Sequence, residues 1–449
     1  MRFFNDYIKK HNFREVIRIA APAVIVMSSY TIMGLVDTLI VGKLGTEQLA
    51  AVGMTSILIW CFYSLFNGTS KGITTFVSQY YGARSYRICG YFTWQGLYFS
   101  FISGIIIISI RFVGPILFKI INPPEEISIM AVTYFQTRLL EGIFISMNFA
   151  FFAFFQGIGN TKTPMKIAIA ANILNAFLDI GFVFGKFGLP EMGLKGAAIA
   201  TVLASFFTMI AYIIVFSSKY YAQKFNSRKL TRFNFYQIKR ILRIGIPMGI
   251  QFFMDIFAFF VFTIIISRLG ILQLAANHIA LQILSVSFMP AIGISMAGTT
   301  LVGQYIGAGK HEWAKISANT SLQISLAYAF FIALLFISIP SELVSVFRRD
   351  PDIIKYGTLI LKIAAVFQIF DAISITSVGA LKGAGDAKWV MWASIGYAWL
   401  LFIPLAYFLG IVMKFGIIGA WVGATVYIIT LSVSYLTRFR MEKWKEIKI

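Results

Sequence analysis

The chain has 449 residues, of which 58% are hydrophobic and 13% charged, against about 45–50% and about 25% in an ordinary soluble domain. That much apolar surface cannot be hidden inside a water-soluble fold, so the chain reads as a membrane protein. A net charge of +21 would suit nucleic acid, but the Lys and Arg residues fall between long apolar runs rather than along one polar face, which excludes that partner.

In chain order, Met1 to Arg18 is polar and basic, and no small-residue cleavage site follows a short apolar region, so the first helix is expected to be retained. Apolar runs and their punctuation predict helices over 15–43, 48–78, 90–113, 128–156, 163–186 and 193–217. A segment rich in Lys and Arg follows, including Lys219, Lys224, Arg228, Lys229 and Arg232. Six more helices are predicted over 241–268, 274–303, 314–338, 354–381, 389–412 and 416–438. The expected organisation is an N-terminal lobe over 1–218, a basic linker over 219–240 and a C-terminal lobe over 241–449.

Basic residues in alternate loops (Arg84 and Arg87, Lys162 and Lys166, Lys310 and Lys315, Lys382 and Lys388) share a side with the linker and both basic termini. The positive-inside rule puts that side in the cytoplasm of a multi-pass protein of the cell (inner or plasma) membrane. Arg348 and Arg349 dissent, accompanied by Asp350 and Asp352.

The halves superpose as sequences. RIAAP from Arg18 matches RIGIP from Arg243, LGTEQLAA from Leu44 matches LGILQLAA from Leu269, and SQYYGA from Ser78 matches GQYIGA from Gly303. Six spans per half start both halves on the same side, giving two parallel six-helix lobes related by a pseudo-two-fold along the membrane normal. The fold class expected is therefore an all-α integral membrane protein with twelve transmembrane helices. Pro22 and Pro247 fall at equivalent places in the first helix of each half and should permit bending there.

An ionisable residue in a spanning helix costs about 2.5–3.5 kcal/mol on insertion scales and usually serves function. Four aspartates qualify. Asp37 and Asp179 lie roughly 9–11 Å below the outer ends of their helices at 1.5 Å per residue. Tyr134 and Thr201 sit at similar depth, and Asn175 is one turn from Asp179 on the same face. These hard oxygen donors suit Na⁺ or a proton, and convergent neutral oxygens beside two carboxylates favour the metal ion. Two such carboxylates also repel, so one holds a proton when no cation is bound, and the cluster can exchange protons. Asp255 and Asp371 lie deeper, roughly 20–24 Å from the outer end, as a second pair. Neither set is repeated: Asp37 aligns with Phe262 and Asp255 with Tyr30. Arg138 and Glu141, three apart, read as a structural pair. His278, His311, Cys61 and Cys89 lack a ligand constellation.

VDTLIVGKLGTEQLAAVG from Val36, NAFLDIGFVFG from Asn175, GAAIAT from Gly196 and the acidic seventh and tenth helices resemble the multidrug and toxic compound extrusion (MATE) family over essentially the whole chain. The resemblance implies a secondary antiporter, not an enzyme, that exports cationic and often aromatic compounds in exchange for Na⁺ or H⁺ by alternating access. It implies that Asp37, Asn175, Asp179 and Thr201 hold the coupling cation, with Tyr134 beside them, and that Asp255 and Asp371 meet the substrate. Small organic cations and the bilayer are the partners implied, with no cofactor beyond the transported ion and no obligate protein partner. The alternative, a flippase for lipid-linked oligosaccharides or lipids in the same superfamily, would handle an anionic pyrophosphate and want basic residues where this chain carries acids.

Overall fold

The computed structural model describes residues 2–447, with side chains described from Asn12 onward. Among the described residues, twelve helices are long and apolar enough to cross a membrane, the first six being α1 (Asn12–Gly42), α2 (Thr46–Gly82), α3 (Tyr86–Ile121), α4 (Glu125–Gly157), α5 (Lys162–Phe184) and α6 (Gly193–Phe216). The second half supplies α7 (Phe235–Ser267), α8 (Ile271–Gly307), α9 (His311–Ser338), α10 (Pro351–Ala384), α11 (Ala387–Val412) and α12 (Gly416–Arg440). The helices run longer than predicted where polar ends join an apolar centre. α2 and α8, for example, continue four residues past their expected ends, to Gly82 and Gly307, because Gln79 and Gln304 with the tyrosines after them fit a helix while lowering hydrophobicity.

The repeat is visible in the backbone. Gly45 and Gly270, at equivalent corners between the first two spans of each half, have φ of 142° and 127°, a conformation that disfavours any residue with a Cβ.

By packing, the chain forms two compact units, one of Met1–Met27 with Ile250–Ile449 and the other of Ser28–Gly249. Both divisions fall inside helices, a few residues after Pro22 in α1 and after Pro247 in α7. The first part of α7 therefore belongs to the unit of Ser28–Gly249, and the first part of α1 to the other unit.

Each unit holds the same crossing in a different chemistry. In the unit of Ser28–Gly249, Gly68 on α2 faces Gly249, and Gly72 faces Gly245, so closely that a Cβ at Gly68 would stand 2.5 Å from the Gly249 Cα. At the repeat-equivalent place in the other unit, Gly293 on α8 faces Val24, and Ala20 and Ala297 share one apolar cluster with Ile19 and Ile294. Small residues let helices approach where no hydrophobic drive separates protein from lipid.

The segment after each half docks onto its own unit. Lys219–Phe225 is helical and lies on α3, where the Phe225 carbonyl packs against Gly90. The Trp94 indole donates to the Ser227 carbonyl (3.0 Å) and the Tyr98 hydroxyl to that of Thr231 (2.5 Å). Lys224 sits among the rings of Tyr86, Tyr81, Tyr220 and Phe225, nearest to Tyr86 at 4.6 Å. After α12, Trp444 is buried against Phe439 and His311 and donates to the Phe439 carbonyl (2.8 Å). Tyr86 and His311 are the first residues of α3 and α9, so the two straps are anchored at equivalent helix starts.

Candidate functional site

Four helices of the unit of Ser28–Gly249 converge on the first cluster. Tyr134 on α4 packs among Val36, Ile40 and Val41 of α1, Ile180 and Val183 of α5 and Ala197 and Ala198 of α6. Those are the near neighbours of Asp37, Asp179 and Thr201, so the apolar packing carries the polar residues to one place. The Asp37 and Asp179 carboxyls lie within hydrogen-bonding reach of one another. Asn175 and Asp179 are both 1% exposed, Tyr134 is 6% and Thr201 8% exposed, and Asp37 is half-buried.

The hydrogen-bond inventory of this cluster is incomplete within the protein. Asp37 Oδ1, Asp179 Oδ2 and both Oδ1 and Nδ2 of Asn175 are buried without a protein partner. The Thr201 hydroxyl donates to the Ala197 carbonyl (3.1 Å), which leaves its oxygen lone pairs directed elsewhere. Buried polar atoms are normally paired, so three orphaned oxygens on neighbouring residues mark a place suited to a cation or proton. No group of three or more His, Cys, Asp or Glu among the described residues is arranged to hold a metal ion. Two carboxyls with amide and hydroxyl oxygens form instead a weakly charged, hard-oxygen set.

Arg138 and Glu141 join this cluster, a relation that their sequence spacing did not reveal. The helical hydrogen bonding of α4 tightens over Leu139–Glu141, and Gly142, next in sequence, packs its backbone against Gly104 of α3. At the break, Arg138 Nη1 donates to Glu141 Oε1 (2.5 Å). The Tyr63 hydroxyl donates to the same oxygen (3.0 Å) and Ser205 Oγ to Oε2 (2.5 Å). Arg138 is also in electrostatic contact with Asp37 and Asp179. Neither Tyr63 nor Ser205 is among the residues singled out from sequence; the signal that points to Ser205 is its place one turn beyond Thr201 on α6.

The second pair lies in the unit that contains Ile250–Ile449, and there the carboxylate of Asp255 has both oxygens hydrogen-bonded. Asp255 on α7 accepts from Gln251 Nε2 (3.0 Å) and from the Ser394 hydroxyl of α11. The Tyr435 hydroxyl of α12 donates to the Val390 carbonyl, one turn before Ser394 (3.4 Å). Asp371 on α10 is in electrostatic contact with Asp255, as is Lys382, three turns further along α10. Ser394 precedes a stretch of α11 that rewinds into wide turns over Ala398–Phe402 and Phe408–Val412, on either side of Pro404, a distortion common near functional sites.

Comparison with known proteins agrees with this architecture. The family model described as MatE matches the chain twice, over residues 22–180 and 247–408. A probable multidrug resistance protein NorM of Thermotoga maritima is 31% identical over 451 residues, 99% of this chain and 96% of that protein. A multidrug resistance protein MdtK of Yersinia pseudotuberculosis is 25% identical over 443 residues, 95% of each chain. Among solved structures, the eukaryotic MATE transporter AtDTX14 superposes with a TM-score of 0.88 at 19% identity, covering 98% of each chain. An outward-facing multidrug resistance MATE family transporter superposes at 0.86 with 20% identity and 97% coverage of each.

Proposed function

The chain belongs to the MatE family, and from that premise we propose that it is a multidrug antiporter exporting organic cations in exchange for Na⁺ or H⁺. The coupling cation is held by Asp37, Asn175, Asp179 and Thr201 beside Tyr134, and Asp255 and Asp371 draw the organic cation. The observation that carries this reading is the set of buried oxygens on Asp37, Asn175 and Asp179 without protein partners.

The chemistry follows from charge. Two adjacent buried carboxyls cannot both ionise cheaply, so they share a proton until a cation arrives. A Na⁺ joining the singly protonated pair neutralises its remaining charge and takes the orphaned lone pairs as ligands; a second proton neutralises the pair in the same way. Either event removes negative charge from the interior and biases the protein between its two access states. Inward movement of one positive charge gains about 2.3 kcal/mol per 100 mV of membrane potential. The organic cation meets a carboxylate in a low-dielectric setting, where a positive partner is favoured.

In proteoliposomes carrying a fluorescent aromatic cation, an imposed Na⁺ gradient, a pH gradient, or both should drive accumulation. Transport indifferent to both gradients removes the antiport reading, and response to one alone identifies the ion. The protein resides in the cell membrane with its termini and the 219–240 strap in the cytoplasm. Leu230, 67% exposed, is the place to test this: Leu230→Cys should label only after permeabilisation, and labelling of intact cells reverses the orientation. Ser227 is fully buried and reports nothing from either side.

A further inference from the structure

Arg138 is a fixed cation beside a cluster whose proposed task is to receive a mobile one. Its side chain is 17% exposed, and that of Glu141 is 2% exposed. Glu141 is saturated: Arg138 and Tyr63 donate to one carboxylate oxygen and Ser205 to the other. Three donors from α4, α2 and α6 hold that carboxylate in place. Arg138 lies one turn beyond Tyr134 on α4, and Tyr134 packs against the immediate neighbours of Asp37 and Asp179. The guanidinium therefore leaves α4 on the face that looks toward those carboxyls, with which it is already in electrostatic contact.

A buried guanidinium deprived of its carboxylate does not stay unpaired, because an uncompensated interior charge is strongly unfavourable. Its five donors on a flexible stem turn to other acceptors, and among the groups in electrostatic contact with it are the Asp37 and Asp179 carboxyls, which carry orphaned oxygens. We propose that Glu141 is a positioning residue that holds Arg138 off the Asp37–Asp179 pair, so that the pair receives a transported cation and not a tethered one. Ser205 and Tyr63 support it by fixing the Glu141 carboxylate. This inference rests on the reading of Asp37–Asp179 as the coupling site.

The test uses the purified full-length protein and ²²Na⁺ as the probe, with wild type and Asp37→Asn setting the scale. Equal binding by those two removes the coupling-site reading, and this inference with it. Given a difference between them, Glu141→Gln should weaken Na⁺ binding about tenfold or more, since apparent affinity falls with the fraction of molecules whose site is free. Glu141→Gln/Arg138→Gln should recover to within about threefold of wild type, because no tethered cation remains to compete. A purely structural role for Glu141 predicts the reverse, with the double variant at least as impaired as the single one. The double variant is charge-neutral at this position and decides the matter even where Glu141→Gln alone does not fold: a folded double variant that binds supports the proposal, and one that does not bind overturns it. A second measurement needs no added Na⁺. Asp179→Asn should lower thermal stability more in the Glu141→Gln background than in wild type, where Arg138 is already paired, and additive effects in that cycle also overturn the proposal.

Discussion

Asp255 and the Asp37–Asp179 pair differ in how completely the protein satisfies their carboxylates. Asp255 has both carboxylate oxygens occupied, by Gln251 and Ser394. Asp37, Asp179 and Asn175 keep buried oxygens that no protein group answers. Equal chemistry in the sequence, an aspartate in an apolar helix, has become two different objects: a carboxylate held in shape by its own neighbours, and a pair whose remaining ligands must come from elsewhere. The difference teaches that burial of an acid does not by itself define an ion site; the number of unanswered lone pairs does.

The largest effect should come from removing the unanswered side of this comparison. Asp37→Asn is expected to abolish gradient-driven export while leaving an inserted protein that still binds organic cations. Asp371→Asn should weaken binding of organic cations and leave ²²Na⁺ binding near wild type. Loss of ²²Na⁺ binding in Asp371→Asn alone, or equal loss in both variants, would erase the distinction between the clusters.

A smaller effect sharpens the comparison of the two helix crossings. A Cβ at Gly245 would stand 2.2 Å from the Thr69 carbonyl oxygen, and backbone cannot move aside as a side-chain tip can. Gly245→Ala should cost about 1–3 kcal/mol, the usual range for overpacking, and lower the melting temperature measurably. The reverse change at the equivalent position, Ala20→Gly, leaves room instead of filling it and should cost less, about 1 kcal/mol. Melting curves that rank the two variants the other way would mean that the close glycine approach is not what holds α2 to α7.

The smallest effect separates the two straps. Lys315 and Lys445 hydrogen-bond the Glu442 carboxylate and hold it below the usual carboxylate range. A depressed folded value contributes stability above the unfolded value that is lost as pH falls through the folded one. The tail carrying Trp444 should therefore loosen on acidification, read as a red shift of tryptophan emission that a Trp444→Phe variant lacks. Lys224 in the other strap is held by aromatic rings, which do not titrate in acid, so the hydrogen-exchange protection factors at 219–225, taken relative to the intrinsic rate at each pH, should not change over the same range.

Much of this protein was legible without coordinates, because membrane insertion is decided by each residue and its near neighbours along the chain. The twelve spans, the parallel repeat and the choice of Asp37, Asn175, Asp179, Asp255 and Asp371 as unusual residues all follow from the cost of polar groups in lipid and from sequence matched against itself. Gly245 and Gly249 were not recognised as a helix crossing, since their partners Gly68 and Gly72 lie more than 170 residues earlier. Depth along the helices sets Asp255 apart from Asp37 in the sequence, but its closed hydrogen bonds are not legible there, because Ser394 meets it only once α7 and α11 pack. Arg138 and Glu141 were seen as a pair, and an i,i+3 spacing says no more than that. Their placement beside Asp37 and Asp179 depends on four helices converging around Tyr134. Composition and spacing determine which groups enter the membrane; which of them are satisfied there is a property of the packed helices, because a hydrogen bond needs its partner within about 3 Å wherever in the chain that partner lies.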